Sequence, residues 1–258
     1  MGATRKLGSP IEISSYFRQP SSNSTVTDST TEETASKNQF VKHGSPYTAM
    51  DRFFIGLEPI YSGINAVEFT ANSPVGYVTK LGMAGDMVPI DCFMETSHPN
   101  LVNLREVFVT ENSLFFVYEK WGISLKEILL LSPVFQLGEV EVATICREVL
   151  KGLRYIHKTI GISHGSLSES NIHIMEDGDV KIANIGKSMV TNSGPKGMSR
   201  DIKDVCKLAR LLLGSSDAPA TRGTVGVLAS DFAHAPSDVT IDELLQHSFL
   251  NPVNRSRS

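Results

Sequence analysis

From Met50 to Leu131 the chain runs in short apolar stretches broken by Gly, Asn and Ser, and after Pro133 an apolar period of three and four residues takes over. In the first part, Phe53-Phe-Ile-Gly-Leu, Gly76-Tyr-Val-Thr-Lys-Leu, Leu104-Arg-Glu-Val-Phe-Val and Leu114-Phe-Phe-Val-Tyr-Glu each predict a strand. Their β-branched and aromatic side chains suit a pleated, half-buried surface. Thr110-Glu-Asn-Ser, between the last two, predicts a hairpin turn. In the second part, Val142, Ile145, Cys146, Val149, Leu153 and Ile156 share one helix face and Gly161 follows, which predicts a helix over 138–158. Ile172-His-Ile and Val180-Lys-Ile predict two short strands joined by the turn Glu176-Asp-Gly-Asp. Val205, Leu208, Leu211 and Leu212 signal another helix with Asp201 near its start, and a last one runs from Thr240 to His247, capped by Thr240 or Asp238. Strands first and helices afterwards argue for an α+β protein of two lobes, a small mostly-β one and a mostly-helical one.

Composition changes this picture mainly at the ends. Residues 1–46 are rich in Ser, Thr, Asn and Glu, and Ser21–Thr34 contains a single apolar residue, Val26. Such a segment cannot bury enough surface to offset its ordering entropy, so a disordered leader is expected over 1–46. The ordered domain is expected over 47–250, with lobes of about 50–120 and 121–250, and a disordered tail over 251–258. The net charge of −4 gives no electrostatic reason to expect nucleic acid as a partner. Three widely spaced cysteines, Cys92, Cys146 and Cys206, form neither a metal-ligand pattern nor a disulfide framework, which suits a reducing compartment. No run reaches the roughly 18 apolar residues of a membrane span, and the amino terminus lacks the apolar core of a secretory signal. Met1-Gly2 begins a myristoylation pattern that fails at Lys6, where Ser or Thr is required. An intracellular, cytoplasmic protein is expected.

Several passages together carry a family likeness. Tyr155-Ile-His-Lys-Thr-Ile-Gly-Ile-Ser-His164-Gly-Ser-Leu-Ser-Glu-Ser-Asn171 resembles the end of helix E and the H-R-D-L-x-x-x-N catalytic loop of protein kinases. Val180-Lys-Ile-Ala-Asn184-Ile185-Gly186 is similar to the strand entering D-F-G. His98-Pro-Asn-Leu-Val-Asn-Leu resembles the turn after helix C, and Leu114–Glu119 the fifth strand running into the hinge. Ser199-Arg-Asp201 resembles the start of helix F, and Glu243-Leu-Leu-Gln-His-Ser-Phe249 the end of many serine/threonine kinase domains. The likeness runs in order over residues 50–250 and implies the bilobal kinase fold, with ATP and Mg²⁺ as its cofactors.

The departures from the family pattern fall on charge. Phosphoryl transfer needs a carboxylate to orient the attacking hydroxyl, acids to hold magnesium and cations on the phosphates. Ser166 stands at the catalytic Asp position, Ser168 at the catalytic Lys position and Gly165 at the neighbouring Arg. The metal positions are Asn171, which the family keeps, and Asn184, an amide where D-F-G has its Asp. For the nucleotide, the resemblance nominates Gly63 in a strand turn reduced to one glycine, Lys80 by alignment with V-A-I-K, and Glu119 and Trp121 in the hinge. Val78 and His173 would flank the adenine ring, and Tyr118 would be the gatekeeper. The helix C Glu position falls on Pro89, with Asp86, Asp91 and Glu95 as nearby acids at poor register. His164, Gly186 and Asp201 keep structural positions.

Two segments are short for the family. Only fifteen residue steps separate Gly186 from Asp201, with no A-P-E, and forty-six separate Asp201 from His247, where Asp238 lies near the usual Arg. The resemblance therefore implies a pseudokinase, truncated in the activation segment and helix G region, that acts as a signalling scaffold or regulator. Its partner would be a protein, an active kinase or that kinase's substrate. The enzymatic alternative is a weak or atypical ATP-dependent serine/threonine kinase using Lys80, Asn171 and a relocated acid such as Asp177 or Asp179. A third reading is a decayed chain without a folded product.

Overall fold

The computed structural model describes residues 40–47, 54–60, 63–68, 75–83, 90–131, 137–214 and 226–251, all within one compact unit, Asn38–Ser258. Ser21–Thr34, Lys6, Asp86, Pro89 and residues 252–258 lie outside the described residues.

The larger sheet has six strands: β1 (Val41–His43), β2 (Phe54–Ile60), β3 (Gly63–Glu68), β4 (Val75–Gly82), β5 (Leu104–Val109) and β6 (Ser113–Tyr118). They lie in the order β1-β5-β6-β4-β3-β2, with β1 parallel to β5 and every other pair antiparallel. β1 falls inside the stretch that composition assigns to the leader, so the ordered part begins by Phe40 and not at residue 47. A polar flank does not prevent three residues from completing a sheet edge, and Lys42 pairs with Glu106 at 3.0 Å there.

Period-two alternation splits this sheet into two faces. Val78, Phe108, Phe115 and Val117 pack together on one face, with Tyr47 against them. Tyr77, Leu104, Val107, Leu114, Phe116 and Tyr118 point the other way and belong to the main core.

The helical lobe forms around α2 (Glu139–Tyr155), whose buried face carries the predicted Val142, Ile145, Cys146, Val149 and Leu153. The predicted helix over 138–158 ends its α-helical part at Tyr155 and continues as a π turn over Ile156–Ile160, stopped at Gly161. α4 (Gly194–Leu212) begins seven residues before Asp201, which therefore lies inside the helix, fully buried. A small sheet of β7 (Ile123–Ser124), β8 (Ile172–Ile174) and β9 (Val180–Ile182) lies beside α2, with the predicted turn over Glu176–Asp179 between β8 and β9.

Three helices are absent from the sequence reading: α1 (Leu125–Leu131), α3 (Ile185–Val190) and α5 (Val227–Ala233). α1 had a signal in Ser124-Leu-Lys-Glu127. The Ser124 N–H donates to Glu127 Oε2 at 2.8 Å and the Glu127 N–H to Ser124 Oγ at 3.2 Å, the reciprocal capping box. α6 (Ile241–Leu245) starts at Thr240 with the same device.

The His98–Asn103 turn ties the two sheets together. The Val102 N–H donates to the Ile182 carbonyl at 2.8 Å, the Ile182 N–H to the Asn100 carbonyl at 2.9 Å, and the Asn100 side chain to the Val180 carbonyl at 3.1 Å. This stitching fixes the hinge strand β6 above β8 and β9, and so sets the walls of a cleft. No helix among the described residues is long and apolar enough to cross a membrane.

Candidate functional site

The loop between the π turn and β8 is held from beneath by one buried carboxylate. Asp201 accepts the His164 N–H at 2.7 Å, the Gly165 N–H at 2.7 Å and the His157 ring Nε2–H at 2.8 Å. Burial without partners would cost a charged group several kcal/mol, and three donors offset that. His164 is itself buried, donates through Nε2 to the Ala183 carbonyl at 2.9 Å, and accepts Ser188 Oγ–H on its carbonyl at 2.7 Å. His164 and Asp201 thus brace the loop as the resemblance implies. Gly165 has φ +76, a conformation that glycine adopts without a Cβ penalty.

Along the loop the expected charges are absent. Ser166 is exposed at the cleft, while half-buried Ser168 accepts the Asn171 N–H on its carbonyl and does not line the cavity. The two metal candidates bond to each other: Asn184 Nδ2–H donates to Asn171 Oδ1 at 2.6 Å, and Asn171 Nδ2–H donates to the Ser166 carbonyl at 2.6 Å. Asn184 has φ +67, the left-handed region that Asn tolerates better than most residues. No group of three or more acidic, His or Cys side chains able to hold a metal occurs among the described residues.

The roof of the cleft corrects the register of the strand alignment. Lys80 pairs with Phe115 across β4 and β6, and its ammonium lies over the Phe115 ring, 5.6 Å from the centroid. It is exposed and belongs to the sheet face turned away from the cleft, together with Val78. A one-residue slip in register exchanges faces. The cleft-facing residues of β4 are therefore Tyr77 and Thr79, so Thr79 takes the position expected of Lys80. Thr79 is buried and its hydroxyl bonds the Tyr118 oxygen.

Tyr77, standing in place of Val78, stacks on Trp121 with ring centroids 3.7 Å apart and planes at 30°. On its other side Trp121 meets the edge of His173 at 4.1 Å and 67°. His173 Nδ1–H donates to the Gly122 carbonyl at 2.9 Å. Burial holds the His173 pKa below its usual 6.5, with that carbonyl opposing the shift. The indole thus lies between the sheet above and His173 below, where the resemblance places an adenine ring.

The remaining nominated residues have structural partners. Glu119 accepts Lys181 Nζ–H at 2.9 Å and Asn103 Nδ2–H at 3.3 Å. Gly63 opens β3 opposite Thr79. Tyr118 is fully buried, accepts the Gly186 N–H at 3.1 Å, and burial pushes its pKa up. Asp91 and Glu95 are exposed in a connection whose described part holds only a 3-10 turn, Ile90–Cys92. Asp177 and Asp179 are exposed in the β8–β9 turn.

Between the aromatic stack and the loop lies a cavity of about 330 Å³. Two residues that sequence reasoning missed line it with cations, Lys126 on α1 and Lys187 on α3, and Glu127 is the one carboxylate of its lining among the described residues. Lys187 follows Asn184 by three residues. It reaches the cleft because α3 begins directly after Asn184.

A six-stranded sheet over a helical lobe, joined by a hinge and a braced loop, defines a bilobal α+β domain. Residues 89–207 match the family model of the protein kinase domain, and over that segment the chain is similar to protein kinases. It is 34% identical over 110 residues to the serine/threonine-protein kinase dst2 of Dictyostelium discoideum, which covers 43% of this chain and 10% of that protein. It is 30% identical over 106 residues to cyclin-dependent kinase F-3 of Oryza sativa subsp. japonica, covering 41% and 24%. Over 92 residues it is 34% identical to the serine/threonine-protein kinase CST20 of Candida albicans, covering 35% and 7%. The chain thus spans less than a quarter of each of these relatives. The matched segment holds the His98 turn, the hinge, the loop and the start of α4, a narrower span than 50–250.

Proposed function

We propose that this domain is a catalytically silent kinase-like module, a pseudokinase truncated in its activation segment, that acts in the cytoplasm by binding another protein. The carrying observation is the Asn184–Asn171 hydrogen bond, which uses a neutral amide where the family needs a metal-binding carboxylate. Ser166 supplies no base, and loss of a positioned base alone removes about 10²–10⁴ in rate.

The residues present do not fit Mg²⁺–ATP. Trp121 fills the ring slot, Thr79 replaces the phosphate-pairing cation, and Glu127, the only carboxylate of the cavity among the described residues, is bonded into the cap of α1. Fifteen residue steps from Gly186 to Asp201 are folded into α3 and the first turns of α4, which supports loss of a substrate platform.

Lys126 and Lys187 favour one competing reading, a weak atypical phosphotransferase that has relocated its cations. The test is radiolabelled phosphate transfer from ATP to a generic acceptor, with and without Mg²⁺. Undetectable transfer is expected. Mg²⁺-dependent transfer that Lys187→Ala abolishes would establish the competing reading instead.

A further inference from the structure

Resting on the protein-binding reading above, the structure offers a place for the partner. At the C-terminal end of α2 a groove of about 420 Å³ is lined by Lys151, Arg154, Tyr155 and Lys158, residues spaced three, four and seven apart on one face, with His98 and Asp242 opposite. In a chain of net charge −4 this is a concentration of cations.

Lys151 is bonded to both Glu148 oxygens, at 2.8 and 3.1 Å, and Lys158 to Asp242, so the unspent donors are those of Arg154 and His98. Among the described residues Arg154 has Asp242 Oδ1 as its nearest carboxylate oxygen at 3.9 Å, too far for a hydrogen bond, so its planar fork of donors is open there. His98 Nδ1 accepts the Asn100 N–H at 3.1 Å, which leaves Nε2–H as a donor in the neutral ring. Partial burial first, then Arg154, Lys151 and Lys181, hold the His98 pKa below its usual value against the opposing pull of Glu148. His98 stacks on Tyr155 at 4.8 Å and gives the groove a flat aromatic wall.

Asp242 shows what the groove accepts. This exposed carboxylate comes from α6, bonds Lys158 and lies beside Arg154. Cations compensating the helix dipole would account for Arg154 at the last turn, but not for an aromatic wall and a cavity gathered around it. We propose that this groove docks a short Asp/Glu-rich segment of a protein partner, one carboxylate taking the Arg154 fork, with Asp242 as the built-in competitor.

Fluorescence polarisation of a labelled Asp/Glu-rich peptide against the full chain tests this, with the Asn/Gln counterpart as control. Arg154→Gln should weaken binding about tenfold, as expected for an arginine anchor. Asp242→Asn should tighten it about threefold, by freeing Lys158 and Arg154. Both side chains are substantially exposed, so parent-like melting is expected of each variant. Equal binding of the neutral peptide, unchanged binding by both variants, or displacement of the peptide by inorganic phosphate alone would overturn the proposal. Mg²⁺-dependent phosphotransfer by the parent overturns the protein-binding reading instead, whatever the peptide does.

Discussion

Asn184 Nδ2 lies 2.6 Å from Asn171 Oδ1, so the two positions from which a kinase would hold its metal are joined by a proton instead of a cation. The contact is self-sufficient: Asn171 passes its own amide hydrogen to the Ser166 carbonyl, and the chain of bonds ends on the loop backbone. A neutral amide pair of this kind stabilises the loop without a ligand, whereas two facing oxygens would require one.

Asn184→Asp should convert that neutral contact into a cation-dependent one. The variant loses the donated hydrogen and sets carboxylate oxygens against Asn171 Oδ1, at a cost of about 1–3 kcal/mol. Millimolar Mg²⁺ should restore part of this in the variant and leave the parent unmoved, read as melting temperature with and without chelator. Equal responses would mean that the amide pair does not occupy a latent metal position.

Gly186 and Gly165 should separate packing from conformation. A Cβ on Gly186 would lie 2.5 Å from Phe116 Cδ1 and 2.9 Å from the Tyr118 hydroxyl, both in the core. Gly186→Ala should therefore cost about 2–3 kcal/mol by overpacking. A Cβ on Gly165 meets nothing nearer than Ser163 Oγ at 4.0 Å, so Gly165→Ala should cost only about 1 kcal/mol for its left-handed backbone. Urea unfolding of the two variants gives the comparison.

Stability should fall on the acid side of neutrality. Burial depresses the pKa of both His164 and His173 below the 6.5 of the unfolded chain. Below about pH 6.5 the unfolded state then binds more protons than the folded one, so the stabilisation present above that value is lost as pH falls toward the folded pKa values. Each histidine contributes at most about 1.4 kcal/mol per pH unit. His173→Phe keeps a ring against Trp121 and removes one titration, so its melting temperature should depend less steeply on pH between about 7.5 and 5.5 than that of the parent.

Strands, the α2 face, the β8–β9 turn and the braced loop were legible because each rests on local period or on spacing within one segment. Sheet faces were not. Tyr77, Val78, Thr79 and Lys80 are all compatible with a strand, and only pairing with Phe115 and Phe116 decides which two face the cleft. Trp121 could be nominated from its place in the hinge, but its stacking between Tyr77 and His173 joins residues more than forty positions apart in sequence. Lys187 was missed because a six-residue helix carries too little period to be seen.

That face assignment leads to a prediction separating Lys80 from Trp121. Lys80→Ala removes an exposed side chain over Phe115 and should alter stability by no more than about 0.5 kcal/mol, with no effect on any response to nucleotide. The parent should show no thermal shift with millimolar ATP, because the indole of Trp121 already lies between the sheet and His173. Trp121→Ala should lose the ring contacts to Tyr77, His173 and Tyr118, each worth about 0.5–1.5 kcal/mol beyond buried area, and vacate a slot with one flat wall at Tyr77. Adenosine should then raise the melting temperature of this variant although it does not move the parent, since only a ligand that prefers the folded state stabilises it. If the parent itself responds to ATP and Lys80→Ala abolishes the response, Lys80 must reach the cleft and the slot must be open, and the register that places Thr79 inside would be wrong.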